Sequence, residues 1–183
     1  MPRQGLNAEQ LTDAAVRIAD ADGLAAVTIA RVAAELGVRG PSLYNHIEGR
    51  AELINAIARR GYDEMTAALQ SAAVGRSGPD AVRAIAAAHR AYALSGPGRY
   101  AATQRPLPDE PGAAALVGVM ADALRAWDLE ADAEIHAIRA VRSALHGFVT
   151  LELAGGFAMP FDLEESYARL VEMVVEGLGP PVH

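Results

Sequence analysis

The stretch from Leu36 to Leu53, LGVRGPSLYNHIEGRAEL, constrains this chain more than any other. Gly37 stands where a helix C-cap takes a left-handed residue. Pro41 stands where the first turn of a new helix tolerates a missing N–H. Two short helices joined by a three- to four-residue turn that contains glycine make a helix-turn-helix, whose second helix can enter a DNA major groove.

Composition allows it. Hydrophobic residues make up 51% of the 183 residues, enough for a folded chain with a sizeable core. No uncharged apolar run reaches the length of a membrane span, and no basic stretch leads into an apolar segment with a cleavage site. The expectation is a cytoplasmic chain with no membrane partner. Cysteine is absent, which removes disulfides and thiolate metal sites, and every basic residue other than histidine is arginine. The net charge of −7 looks wrong for a DNA binder until it is located. Residues 1–60 hold equal numbers of arginines and acids, so the whole surplus of negative charge lies beyond them. A neutral head can bind DNA through a local arginine patch, with weak non-specific affinity.

Periodicity is helical throughout. Asn7 caps a first helix with Gln10 as its capping-box partner, Leu11, Ala15, Ile18 and Ala19 form its stripe, and Gly23 ends it. Thr28 caps a second helix, Pro41 begins a third, and a fourth runs from about Ala51 to Ala73. Gly75 to Pro79 is a loop. Pro79 starts a helix with Val82, Ile85, His89 and Tyr92 on one face, and Gly96-Pro97-Gly98 breaks it. A helical turn over Arg99–Gln104 precedes a Pro-rich loop at 106–111. Leu116, Met120, Leu124 and Trp127 share one face of the next helix. Two long helices follow, Glu130 to Ala154 and Asp162 to Gly177. The chain therefore reads as all-α, with a helix-turn-helix DNA-binding domain at 1–50 and a helical ligand-binding and dimerisation domain at 51–183.

At 100° per residue, Leu43 and Ile47 point into the head, Asn45 points away with Pro41 and Ser42 beside it, and Tyr44 and His46 lie on the flanks. Asn45 and Ser42 suit base edges, while Tyr44 and His46 suit phosphates. Arg39 can reach a guanine or a phosphate, and Thr28 and Arg50 are further phosphate candidates. These residues, T-x-x-R-V-A-x-x-L-G-V from Thr28 to Val38, then P-S-L-Y-N-H-I, Arg50 and Leu53, resemble the DNA-binding head of TetR-type repressors. The resemblance covers roughly residues 8–58. It implies an all-helical homodimer with a C-terminal ligand-binding domain, and it places Tyr44 and Arg50 at positions that usually touch phosphate. Ala30 and Gly40 depart from it, since some members carry a base-reading arginine and a longer polar residue there. Ser143 to Glu152 resembles a subgroup with a His-Gly pair in its penultimate helix.

His89, Tyr92, Tyr100, Met120 and Trp127 supply the apolar-with-few-polar mix of a ligand pocket. The surrounding acidity favours a cationic over an anionic small-molecule effector, weakly. Tyr167, Leu170, Val171, Val174, Val175 and Leu178 form a face too wide for one subunit to bury, and with Leu145, Phe148 and Val149 they predict a two-fold homodimer. His146-Gly147 reads as a close helix–helix approach. Asp132 and His136 share a helix face but read as a solvated pair, so neither metal nor cofactor is expected. No nucleophile elbow, H-E-x-x-H or phosphate-cradling loop supports an enzyme. The leading expectation is a repressor released from a double-stranded DNA operator by a small molecule. The alternative is a helical ligand-binding or catalytic dimer with a degenerate head.

Overall fold

The computed structural model describes residues 6–105, 107 and 111–182. Among these there is no strand. The helices are α1 (Ala8–Asp22), α2 (Ile29–Glu35), α3 (Arg50–Ala73), α4 (Gly78–Ser95), α5 (Pro97–Thr103), α6 (Pro111–Leu124), α7 (Ala131–Leu153) and α8 (Leu163–Gly177). Short 3₁₀ turns cover Leu24–Ala26, Gly40–Asn45 and Arg125–Trp127. The all-helical expectation holds. The expected loop at 106–111 lies outside the described residues except for Leu107 and Pro111.

The chain divides into two compact units. The first takes Met1–Asp63 together with Gly96–Glu110. Its boundary falls inside α3, and it includes α5, so it differs from the 1–50 division read from the sequence. The predicted capping box forms: Asn7 Oδ1 accepts from Gln10 N at 2.8 Å and Gln10 Oε1 accepts from Asn7 N at 3.1 Å. Each such cap contributes about 1 kcal/mol. Leu11, Ala14, Ala15, Ile18, Val32, Leu43, Leu53 and Ile57 build the core, and Ala102 of α5 is buried with them.

How α5 gets so close to α1 is a matter of one missing side chain. A Cβ built on Gly98 would lie 2.1 Å from the carbonyl carbon of Ala19 and 2.6 Å from the nitrogen of Asp20, so the two backbones are in direct contact. Arg99 then pairs with Asp20, its backbone N donating to Oδ1 and its Nε to Oδ2, each at 2.8 Å. Tyr62 closes the joint by donating from its hydroxyl to Thr103 O at 2.6 Å. The sequence shows Gly96-Pro97-Gly98 as a helix breaker. The break is there, since α4 ends at Ser95, and Pro97 then sits in the first turn of α5, which its fixed φ favours.

The second unit takes Glu64–Ser95 and Pro111–His183. Within it α4 touches α6, α7 and α8. Val82, Ile85 and Ala86 of α4, Ile138, Val141, Leu145 and Val149 of α7, and Tyr167, Val171 and Val175 of α8 are buried. Arg90 binds Glu152 in bidentate fashion at 2.7 and 2.8 Å and lies over the Tyr167 ring, whose hydroxyl donates to Ala86 O. This ties α4 to α7 and α8 by charge as well as by packing. The predicted single helix carrying Trp127 ends early: α6 stops at Leu124 and Trp127 sits on the 3₁₀ turn that follows, with Asp128 at φ 48°. Trp127 Nε1 donates to Gly179 O at 2.7 Å, and Val182 N donates to Ala126 O.

Candidate nucleic-acid interface

The turn that aims the recognition segment is built locally. Gly37 takes φ +67°, so Val38 N reaches back to Ala33 O at 2.9 Å and Gly37 N to Ala34 O at 3.1 Å. That pair of bonds is the Schellman closure, and a left-handed residue is needed to make it. Arg39 is extended, and Gly40–Asn45 winds as a 3₁₀ helix with Ser42 N on Arg39 O and His46 N on Leu43 O, both at 2.9 Å.

The tighter winding changes the angular assignment. With three residues per turn, Ser42 eclipses Asn45 and Pro41 eclipses Tyr44, so the segment presents two outward ridges and turns Leu43 inward. Ser42 stays beside Asn45 as expected, but Pro41 moves to the side of Tyr44. Leu43 is fully buried and Ile47 nearly so, as the sequence predicts. Arg39, Pro41, Ser42, Asn45 and His46 are exposed, and Tyr44 keeps 60% of its surface in solvent. The eight predicted DNA-facing residues are therefore all accessible, and six of them belong to one continuous run from Arg39 to His46.

The other two also carry structural duties, the Thr28 cap expected from the sequence and an Arg50 clamp that was not. The Thr28 hydroxyl oxygen accepts from Arg31 N at 3.2 Å and caps α2. Arg50 donates from Nε to Val27 O at 2.7 Å and from Nη2 to Leu24 O at 2.8 Å, pinning the loop between α1 and α2. Its Nη1 makes no hydrogen bond among the described residues. Nearby arginines hold carboxylates, Arg17 with Glu35, Arg31 with Asp22 and Arg60 with Asp13. Arg39 has no such partner among the described residues, so in a head of zero net charge its guanidinium is available to an incoming anion.

The five predicted ligand contacts are all buried: His89, Tyr92, Met120 and Trp127 lie in the second unit, while Tyr100 lies in the first. Tyr92 Oη stands 3.4 Å from Glu64, and Trp127 is committed to Gly179. An open groove of 470 Å³ in the second unit is lined by Arg83, Arg90, Leu94, Glu164, Tyr167 and Glu172 among others, and by none of the five. Sequence reasoning missed Thr66, whose hydroxyl on the inner face of α3 is buried without a hydrogen-bond partner among the described residues. A polar residue beside Met65 on an apolar stripe was the available signal.

His89 is 9% exposed, and burial, then His146, then Arg142 push its pKa from 6.5 down to about 4. The unfolded chain therefore binds more protons between those values, and stability falls as pH drops through them. The loss is about 3 kcal/mol by pH 4. Denaturation curves at pH 7 and pH 4 should show this loss in the wild-type chain and a flattened dependence in His89→Leu.

The predicted dimer residues divide. Leu145, Val149, Tyr167, Val171 and Val175 are buried inside the single chain, because they face α4 and each other rather than solvent. Phe148, Leu170, Val174 and Leu178 remain half-buried, and Met173, unmarked by the sequence pattern, is 62% exposed. Gly147 has open space above it rather than a neighbouring helix, so the close approach expected there is not made within the chain. Among the described residues no three metal-ligating side chains converge, and no helix is long and apolar enough to cross a membrane.

Comparison with known proteins bears on the same segments. Residues 11–57 match the profile of the bacterial regulatory proteins of the tetR family, and residues 82–174 match that of the tetracyclin repressor-like C-terminal domain. The uncharacterised HTH-type transcriptional regulator Rv0681 of Mycobacterium tuberculosis is 38% identical over 159 residues, 82% of this chain and 72% of its own length. The uncharacterised HTH-type regulator YobS of Bacillus subtilis is 32% identical over 97% of this chain and 95% of its own. Among solved structures, a single-substitution variant of TetR from Acinetobacter baumannii in complex with minocycline superposes with a TM-score of 0.76, covering 94% of this chain and 96% of that one at 20% identity.

Proposed function

The chain belongs to the TetR family of helix-turn-helix transcriptional regulators, and we propose that it is a homodimeric repressor that leaves its operator when a small molecule binds the helical unit. The family is one of regulators and not of enzymes, so the catalytic alternative falls. The observation that carries the DNA half is the exposed run Arg39–His46, anchored from behind by buried Leu43 and Ile47. It sets Ser42 and Asn45 on one ridge, where both can hydrogen-bond base edges, and places an unengaged Arg39 at its start.

The ligand half is supported by the polar groups buried in the second unit. Burying a hydroxyl with no partner costs about 1–3 kcal/mol, and Thr66 carries that cost in the free chain. A ligand that satisfies Thr66 recovers it. Release follows only if the ligand binds one arrangement of the protein better than the other. The minocycline complex shows a small molecule on a similar fold in that other protein and supports a small-molecule effector here. The homodimer is supported by the open apolar strip of Leu170, Met173 and Val174 on α8.

Binding of the purified chain to the DNA upstream of its own gene, across a salt series, tests the reading. Operator binding should exceed random-DNA binding, and Asn45→Ala should cost about 1–3 kcal/mol on the operator while leaving random DNA unchanged. Affinity no better than for random DNA at any salt concentration overturns it.

A further inference from the structure

Two exposed ion pairs, Arg17 with Glu35 and Arg31 with Asp22, tie α2 to α1 across the surface, and pairs so exposed hold little. A firmer tie on the N-terminal side of α2 comes from Arg50. It opens α3, whose first turns bury Leu53 and Ile54 in the core of the head, so its backbone is fixed. From there the guanidinium crosses to the connector between α1 and α2. Nε donates to Val27 O at 2.7 Å in a partly buried bond, and Nη2 donates to Leu24 O at 2.8 Å. The 3₁₀ turn over Leu24–Ala26 closes with a bond of 3.3 Å from Val27 N to Leu24 O, and a turn so short leaves carbonyls at its end in need of donors. The planar fork of arginine meets both carbonyls at once, and its charge strengthens each bond. Val27 is fully buried and precedes Thr28, the cap of α2. That helix has seven residues, and beyond its other end the Gly37 turn launches Arg39–His46. The clamp therefore sets where the helix that aims the recognition segment begins.

We infer that Arg50 is a positioning residue for operator recognition: it acts through the carbonyls of Leu24 and Val27 on the placement of α2, and not by donating to a DNA phosphate. This rests on the DNA-binding reading above and departs from the phosphate role that the family resemblance implies for the position. The two roles differ in their consequences. A phosphate contact is indifferent to base sequence, so losing it weakens operator and random DNA alike and lowers the salt slope by roughly 0.9. It needs charge more than shape, and lysine can supply the charge. A clamp on two carbonyls needs the fork, which lysine lacks. Losing the clamp displaces the Arg39–His46 run, which costs the operator its base contacts and leaves random DNA, held by phosphates, nearly as before.

The test compares the wild-type chain, Arg50→Ala and Arg50→Lys in titrations of random DNA and of the DNA upstream of its own gene, across a salt series. Amide hydrogen exchange is measured on the same full-length chains free of DNA. Both variants should lose roughly tenfold or more on the operator, change by less than about threefold on random DNA and keep the wild-type salt slope. Exchange should speed up roughly tenfold or more at Val32, Gly37 and Val38, whose amides bond to Thr28, Ala34 and Ala33, while Ile18 and Ala19 of α1 stay as in the wild type. That contrast separates a displaced α2 from a general loss of stability, which would speed all five. Equal weakening on both DNAs with a flatter salt slope in Arg50→Ala, and recovery in Arg50→Lys, overturns the inference and makes Arg50 a phosphate contact. So does wild-type exchange throughout α2 in both variants, or exchange that quickens equally in α1 and α2. A wild-type chain with no preference for the upstream DNA fails the DNA-binding reading, on which the exchange contrast does not depend.

Discussion

Gly98→Ala is expected to destabilise the chain by about 3 kcal/mol, the upper range for overpacking, and to lower Tm by about 6–12 °C. The reason is geometric. The added methyl would sit 2.1 Å from the carbonyl carbon of Ala19 and 2.2 Å from its oxygen. Those atoms belong to the backbone of α1 and cannot rotate away, so α5 must lift off. Lifting it loosens the Arg99–Asp20 pair, the Tyr62–Thr103 hydrogen bond and the burial of Ala102 together. Gly118→Ala is the matched control. Gly118 is also helical, but nothing lies within 4 Å of its would-be Cβ, so alanine there should be neutral or stabilise by up to about 1 kcal/mol through the unfolded chain. Thermal and urea denaturation of the two variants read the contrast, and a Gly98→Ala chain as stable as wild type would show that α1 and α5 are not locked together.

That joint also marks the limit of what the sequence discloses. The head was legible because its chemistry is local. A capping box spans four residues, a Schellman turn six, and Gly37 and Pro41 announce the break between α2 and the recognition segment. The docking of α5 on α1 joins residues about eighty positions apart, and Gly98 looks the same in sequence whether it breaks a helix or lets two backbones touch. The 3₁₀ winding of Gly40–Asn45 was hidden for a related reason. Pitch follows from how Leu43 and Ile47 seat in the core, not from residue type alone, so the faces of Pro41, Ser42, Tyr44 and Asn45 shift from those of an ideal α-helix. Periodicity likewise found His89 on an apolar stripe but could not supply Arg142 and His146, which come from another helix. It found the wide apolar face of α8 without telling its inner side from its outer one.

The outer side of α8 carries the prediction with the largest functional effect. Tyr167, Val171 and Val175 turn into the unit's own core, so a charge at Val171 would disturb the single chain and report nothing about assembly. Val174 and Met173 are the informative positions, half-buried and exposed respectively, with Leu170 one turn away. A second copy covering this strip would meet Gly147 on α7, where open space lets a neighbouring helix come close. Two heads would then be held at half-sites about 34–36 Å apart or a multiple of that spacing. A single head neutral in charge has little non-specific affinity to fall back on, so linkage of the two is worth roughly 100-fold or more in operator binding. Met173→Glu and Val174→Glu place unpaired charge in the strip and are expected to give monomers that lose tight operator binding. Val117→Glu on α6, also an exposed apolar position, should leave both intact. Light scattering and operator titration on the same samples decide between the outcomes. Dimeric Met173→Glu and Val174→Glu chains with unchanged affinity would place the interface elsewhere, and a wild-type chain monomeric at micromolar concentration would remove the dimer altogether.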